Sequence, residues 1–353
     1  MTYPKLIAIG QFPPPVHGYS YITLKTVEHF KKVLKVVEYD LVPAEQKTKR
    51  RAVGRILACL RAAAGLVKTR WQGATHAYIP CEGGAGLYFT SALTFLARLL
   101  GYHIICHHHS YAYIDGPSRL MSFLTFRIFS KTTHVFLSSK MRDDFEKRYG
   151  PVPEAVCVSN AAFVTIGPRP VEKTRPLTLG LLSNLTREKG AITLLDLLIQ
   201  LRGKGIQARA VLAGPVPNDD DRTAILEHPA MVQGFAQYRG PLYGDDKIAF
   251  YDDIDVFVFA TTYRNEAQPT VLFEALARGV EIAANDRGTI SSQLLESSLC
   301  VARDGSVLDH FADWLDGRSS SADFDRQAVQ NSYKEMHDAA TQTLSIFSKN
   351  IAA

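Results

Sequence analysis

Short apolar runs alternate with longer helical patterns along the chain, and this alternation restricts the fold more than any other feature. KLIAIG (5–10), THAYIP (75–80), YHIIC (102–106), HVFLS (134–138) and AVCVS (155–159) read as buried strands. TLKTVEHFKKV, a basic segment, FTSALTFLARLLG and MRDDFEKRYG lie between them and read as helices. Uninterrupted apolar runs joined by helices imply a parallel sheet covered on both faces. The stretch TIGPRPVEKTRP (165–176), with three prolines, reads as a linker. The alternation then restarts with strand LTLGLLS (177–183), helix AITLLDLLIQLRGKG, strands ARAVLAG (208–214) and DVFVFA (255–260), helix PTVLFEALARG (269–279) and strand EIAAN (281–285). The expectation is an α/β protein of two Rossmann-like parallel-sheet domains, residues 1–168 and 169–329. The last helical stretch, from about Gln327 to Phe347, is open to either domain, and residues 330–353 can pack back onto the first.

At 353 residues the chain is long enough for two cores. Its 46% hydrophobic and 21% charged content excludes disorder as the main state. The five cysteines (Cys59, Cys81, Cys106, Cys157, Cys300) are odd in number and widely spaced, with no C-x-x-C, which excludes a disulfide scaffold and a zinc ribbon. Free thiols fit a reducing compartment, so a cytoplasmic protein is expected. No stretch reaches 18 uncharged apolar residues, and the N-terminal run reads as a first strand rather than a signal peptide.

Charge divides unevenly. Residues 1–168 hold 21 Lys+Arg against 10 Asp+Glu, a net of +11, and the remainder has a net of −6. The sharpest cluster is Lys47, Lys49, Arg50, Arg51, Arg55, Arg61, Lys68 and Arg70, interleaved with Ile56, Leu57, Leu60, Leu66 and Val67. It reads either as a solvated basic helix face or as an amphipathic helix lying on an anionic membrane. Nucleic acid is not expected, because aromatic interleaving and a known binding motif are both missing there.

The most informative local pattern is RNEAQPTVLFEALARG. Pro269 suits the first helical position and Gly279 a helix end, so Glu266 falls just before a helix and Glu274 one to two turns inside it. Both can face the crevice at the carboxyl end of DVFVFA, where open α/β sheets bind ligands. Amides near Thr270 and Val271 favour an anion there. Carboxylates beside an anion site are suited to gripping neutral hydroxyls, such as a vicinal diol. The plain alternative is that Glu274 is an exposed helix residue paired with Arg278 at i+4.

DVFVFATTYRNEAQPTVLFEALARGVEIAANDRGTI resembles the acidic E-x7-E signature and flanks of retaining GT-B glycosyltransferases close to glycosyltransferase family 4. This resemblance implies two Rossmann-like domains facing across a cleft. It also implies that Glu266 contacts a donor sugar, with Ala267, Gln268 and Thr270 lining the same site, and that Glu274 holds the nucleotide ribose. LLSNLTREKG resembles the family's phosphate-binding loop, so Lys189 corresponds to its lysine and Gly190 to the helix start. Asn184 stands where the family carries an arginine, and Arg187 is the candidate substitute. In GQFPPPVHGYS, Gly18 corresponds to the glycine that admits the donor diphosphate, and His17 lies where a first glycine is common. This is no G-x-G-x-x-G fingerprint, so a dinucleotide cofactor is not supported.

Strand alternation puts His107 and His109 on one face and His108 on the other. Two histidines on one face could hold a metal, but no third ligand is evident. The family often has a histidine at this strand end beside the transferred sugar. His109, ahead of Ser110, is the chosen match, with His107 and His108 as alternatives. Asp253-Ile254-Asp255 mimics a metal-binding D-x-D but precedes a strand, and Asp219-Asp220-Asp221 reads as a helix start.

The resemblance implies metal-independent transfer of a sugar from a UDP- or GDP-linked donor, with no cofactor, to a glycan or lipid-linked acceptor hydroxyl. Bacterial surface polysaccharide synthesis is the expected setting, in the cytoplasm or peripheral on the membrane's inner face through Lys47–Arg70. A nucleotide-sugar epimerase of the same fold and a catalytically silent nucleotide-sugar-binding subunit are the alternatives.

Overall fold

A computed structural model describes residues 5–43, 48–128, 131–168, 175–301, 307–318 and 320–352. The chain divides into two compact units, residues 1–163 with 339–353 and residues 164–338. Half of the expected linker, residues 169–174, lies outside the described residues, as does Lys47.

In the N-terminal unit the strands are β1 (Lys5–Gly10), β2 (Lys35–Asp40), β3 (Ala74–Cys81), β4 (His103–His108), β5 (Thr132–Phe136) and β6 (Glu154–Cys157). They pair in parallel in the order β2-β1-β3-β4-β5-β6. Leu6, Ala8, Phe30, Tyr78, Ile105 and Val135 form the core of one face, closed by Leu344, Phe347 and Ile351 from the last helix. That helix, Arg326–Ala352, is shared between the units, which divide at residues 338 and 339. Its first part belongs to the C-terminal unit, where Gln330 Nε2 donates to the Ala277 carbonyl at 2.9 Å and the Tyr333 hydroxyl to the Val164 carbonyl at 2.8 Å.

In the C-terminal unit the strands are β7 (Thr178–Leu182), β8 (Arg209–Ala213), β9 (Ala236–Tyr238), β10 (Val256–Phe259), β11 (Glu281–Asn285) and β12 (Leu299–Val301). Their parallel order is β12-β11-β10-β7-β8-β9. Every residue of β10 and β11 is buried, which explains their near-continuous apolar sequence.

Both sheets reverse direction partway. In the first the chain winds outward from β1 to β2 and then restarts on the other side with β3. In the second it winds from β7 through β9 and restarts with β10. Ligands of open α/β sheets bind at the carboxyl ends of the strands flanking such a reversal. In the C-terminal unit those ends lead into residues 183–190 and 260–269.

Three strands, β2, β9 and β12, were not legible as apolar runs. β2 reads KVVEYD and is half exposed, while β9 and β12 have three residues each, and all three lie at or next to a sheet edge. Pro269 also differs from expectation. It caps the helix Thr270–Leu276 in an extended conformation (ψ 123°) instead of occupying the first helical position. Among the described residues, no helix is long and apolar enough to cross a membrane.

Candidate active site

In the C-terminal unit the loop after β7 makes a single 3-10 turn, Arg187–Lys189, capped by the Thr186 side chain. Gly190 follows at φ 85°, and a Cβ there would come within 2.9 Å of the Ala260 carbonyl. Only glycine accommodates both that conformation and that approach. The loop after β10 is tied to this turn, since the Thr262 amide donates to the Glu188 carbonyl at 2.7 Å. The two loops therefore form one bonded ledge at the sheet reversal.

On that ledge Lys189 Nζ forms an ion pair with the Glu266 carboxylate. The Thr261 hydroxyl donates to the same carboxylate oxygen at 3.5 Å, and the ammonium lies 4.3 Å from the Tyr263 ring centroid. Glu266, Ala267 and Gln268 are all buried. Their backbone is braced from β11's outgoing loop. Gly288 (φ 59°) packs against the Glu266 and Ala267 carbonyls, and the Thr289 amide and hydroxyl both donate to the Ala267 carbonyl at 2.9 Å.

Glu274 is not paired with Arg278. Its Oε1 accepts from Lys247 Nζ at 2.7 Å and its Oε2 from the Tyr251 hydroxyl at 2.8 Å. Burial and then the Glu274 charge hold the Tyr251 phenol protonated, well above its ordinary range. Arg278 instead grips Asp252, with Nε 2.8 Å and Nη2 2.6 Å from its carboxylate oxygens. The i+4 alternative therefore fails, because a carboxylate from the preceding helix captures the guanidinium.

Asn184 and Arg187 both lie on the first loop with exposed side chains. The Arg187 amide donates to Asp221 Oδ1 at 3.1 Å, so Asp221 positions this loop from the start of the helix Asp219–Leu226. Asp255 meets Arg175 at 2.8 Å and the Thr178 amide at 2.9 Å at the opposite end of β10. Both acidic strings thus have structural partners.

In the N-terminal unit His17 caps the helix Gly18–Phe30. Its Nδ1 accepts from the Ser20 amide at 3.2 Å, and Ser20 Oγ accepts from the His17 amide at 3.1 Å. The space over Gly18 is open, since an added Cβ would meet no atom within 4 Å. His107 and His108 are fully buried. His107 Nδ1 shares a hydrogen bond with the Tyr78 hydroxyl, and His108 shares one with the Tyr113 hydroxyl and one with His134, each at 2.9 Å. His109, one residue beyond β4, is partly exposed and packs edge-on against the Tyr19 ring at 5.2 Å. Burial lowers its pKa to about 3, so the imidazole is neutral at neutral pH.

Among the described residues one group has the proximity of metal ligands. Cys81, Cys106 and His108 bring their donor atoms within 4.8 Å of one another inside the core. Both ring nitrogens of His108 already have hydrogen-bond partners. The sequence reading missed Thr261, Tyr263, Lys247, Tyr251 and the Gly288–Thr289 brace.

Residues 167–331 match the family model of glycosyl transferases group 1. The match spans β7 to β12, the ledge and both glutamates. No curated protein sequence matches the chain. Among solved structures, the chain resembles the apo lipopolysaccharide outer core galactosyltransferase WaaB, with TM-score 0.70, 14% identity and 98% and 99% of the two chains covered. Sucrose-phosphate synthase from Thermosynechococcus elongatus gives TM-score 0.72 at 11% identity, covering 98% of each chain. HepE from Anabaena, solved in complex with UDP-glucose, gives TM-score 0.69 at 14% identity, covering 98% and 99%. At these identities the likeness is one of fold. The likeness in fold extends over nearly the whole chain, and the family match covers residues 167–331 of it.

Proposed function

We propose that the protein is a retaining, family 4-like glycosyltransferase that moves a sugar from a nucleotide-diphosphate donor to a hydroxyl of a glycan or lipid-linked oligosaccharide. The Lys189–Glu266 pair at the sheet reversal carries this reading. A diphosphate entering the ledge competes for the Lys189 ammonium with charge-assisted hydrogen bonds. Glu266, released from that pair but still bonded to Thr261, then accepts from hydroxyls of the donor sugar. Glu274, oriented by Lys247 and Tyr251, accepts from the ribose diol.

As the bond from anomeric carbon to phosphate oxygen breaks, negative charge grows on the diphosphate and positive charge on the sugar. Lys189 stabilises the first, aided by Arg187 and Asn184, and Glu266 the second. The acceptor oxygen forms the new bond from the same face, and its proton passes to the departing phosphate. No metal is needed in this scheme. In the N-terminal unit, the open space over Gly18 suits close approach of a diphosphate, while His17 and His109 serve the sugar.

The donor is a UDP or GDP sugar. HepE, of the same fold, is solved with UDP-glucose, which favours UDP. The setting is bacterial surface polysaccharide synthesis in the cytoplasm, with the basic segment Lys47–Arg70 at an anionic inner membrane face.

The test is thermal unfolding with UDP, GDP, ADP, CMP and their common sugar conjugates. A ligand at a hundred times its Kd stabilises the native state by about 2.7 kcal/mol. The expected result is a shift with UDP or GDP that Glu274→Ala abolishes. Absence of any shift, or a shift indifferent to both Glu274→Ala and Lys189→Ala, overturns the site. Nucleotide binding without turnover on any donor would favour a silent subunit, consistent with the uncharged Asn184.

A further inference from the structure

The helix Thr48–Trp71 buries mainly small residues and leaves most of its large apolar ones exposed. Ala58, Ala62, Leu66 and Thr69 are buried, and Gly65 faces the Tyr39 ring so closely that a Cβ would lie 2.2 Å from it. Val53, Ile56, Leu57, Leu60, Val67 and Trp71 face outward, with exposures from 41% at Val67 to 89% at Trp71. Most of them recur at intervals of three and four, a single stripe along the helix. The outer face of a solvated helix is ordinarily polar, so this polarity is inverted.

Two neighbouring helices also leave large apolar residues exposed. Gly86–Leu99 packs beside Thr48–Trp71, and Arg119–Arg127 packs beside Gly86–Leu99. The first exposes Tyr88, Phe95 and Leu99, the second Phe123 and Phe126. Large apolar groups left exposed on three adjacent helices suit an interaction surface.

Charge identifies the partner. Residues 46–142 contain 14 Lys+Arg and only two acidic residues, Glu82 and Asp115, neither of them in the three helices. Glu82 is taken up by Arg55 and Gln11. Arg55 and Arg70 are turned inward, Arg70 onto the Leu100 and Ala74 carbonyls, so they are not available at the face. Arg61 and Lys68 are exposed and flank the Leu60–Val67 stripe. A second copy of this face would set cations against cations. An anionic bilayer supplies negative headgroups for the cations and an acyl boundary for the large side chains.

We propose that these three helices seat the N-terminal unit in an anionic lipid surface, with Trp71, Phe95 and Phe126 inserted and Arg61 and Lys68 at the headgroups. This extends the contact proposed for Lys47–Arg70 and rests on that reading for the lipid partner, but not on the reaction.

The full chain is floated with vesicles of phosphatidylglycerol and phosphatidylcholine, and with phosphatidylcholine alone. Emission from Trp71 is followed in Trp314→Phe, since the sequence has only two tryptophans. Binding to the anionic vesicles is expected, with a blue shift of Trp71 and part of the binding surviving high salt. The exposed-site double variant Leu60→Glu, Phe95→Glu should melt as the wild type does, keep its UDP or GDP thermal shift, and bind vesicles at least tenfold more weakly. Binding that salt fully reverses, with unchanged Trp71 emission, overturns insertion and leaves the basic-segment reading standing. No binding to either vesicle overturns both. A concentration-dependent dimer that the double variant dissolves, without vesicle binding, assigns the face to a second copy instead.

Discussion

Lys189 and Glu266 are 77 positions apart in the chain, yet they form an ion pair whose side chains are only 16% and 10% exposed. Removing one partner leaves the other partly desolvated and unmatched, which costs about 3 kcal/mol when burial is complete. Lys189→Ala and Glu266→Ala are therefore each expected to lower both the melting temperature and the turnover. Turnover should fall by about tenfold or more, equivalent to about 1.4 kcal/mol of transition-state stabilisation. Removing both should destabilise less than the sum of the two. A double-mutant cycle in urea together with steady-state rates tests this, and strictly additive stability losses would deny the pairing.

Tyr251 and Lys247 fix the Glu274 carboxylate from two sides. Tyr251→Phe removes one charge-assisted hydrogen bond of about 1.5–3 kcal/mol and leaves the ring in place. Nucleotide affinity should fall several-fold while the preference for the base is unchanged. Titration calorimetry with UDP and GDP decides the matter, and an unaltered Kd would show that Glu274 needs no such support.

Gly190 and Gly18 should respond oppositely to alanine. At Gly190 the positive φ and the 2.9 Å approach to Ala260 predict a loss of at least about 1 kcal/mol in stability. At Gly18 the surrounding space is open, so stability should stay within about 0.5 kcal/mol while the nucleotide-induced thermal shift shrinks. A destabilised Gly18→Ala would mean that the glycine serves the fold instead of the ligand.

Burial lowers the His134 pKa to about 3 from 6.5. A histidine with a depressed native pKa binds fewer protons folded than unfolded, so its contribution is complete above about pH 6.5 and is lost as pH falls towards 3. For His134 the loss at pH 5 is about 2 kcal/mol. His107 and His108, also lowered by burial, act in the same direction. Urea midpoints should drop steeply between pH 6.5 and 4.5, and a flat profile there would contradict the buried neutral cluster.

Nine of the twelve strands were legible as apolar runs, most of them because a strand covered on both faces must be apolar throughout; β6, at a sheet edge and only partly buried, was legible from its AVCV run alone. β2, β9 and β12 were not, since short or half-exposed strands near an edge carry few buried side chains. Glu266 and Glu274 stood out by their seven-residue spacing around a helix start, while Lys189 was singled out only by the resemblance of LLSNLTREKG to a family motif. Lys247 and Tyr251 did not, because their helix, Gly244–Asp253, meets the Glu274 helix only after folding.

By itself the sequence determined the α/β class, the two successive sheets and the acidic signature, all of which depend on local periodicity and spacing. Only the tertiary structure decided which groups share a charge. It gave Arg278 to Asp252 and Glu274 to Lys247 and Tyr251, and it turned Arg55 and Arg70 inward from the basic helix. It also turned most of the large apolar side chains of that helix outward, Leu66 excepted. Ion pairing and burial depend on distances in space, and those are set when separate elements pack, not by the order of residues along any one of them.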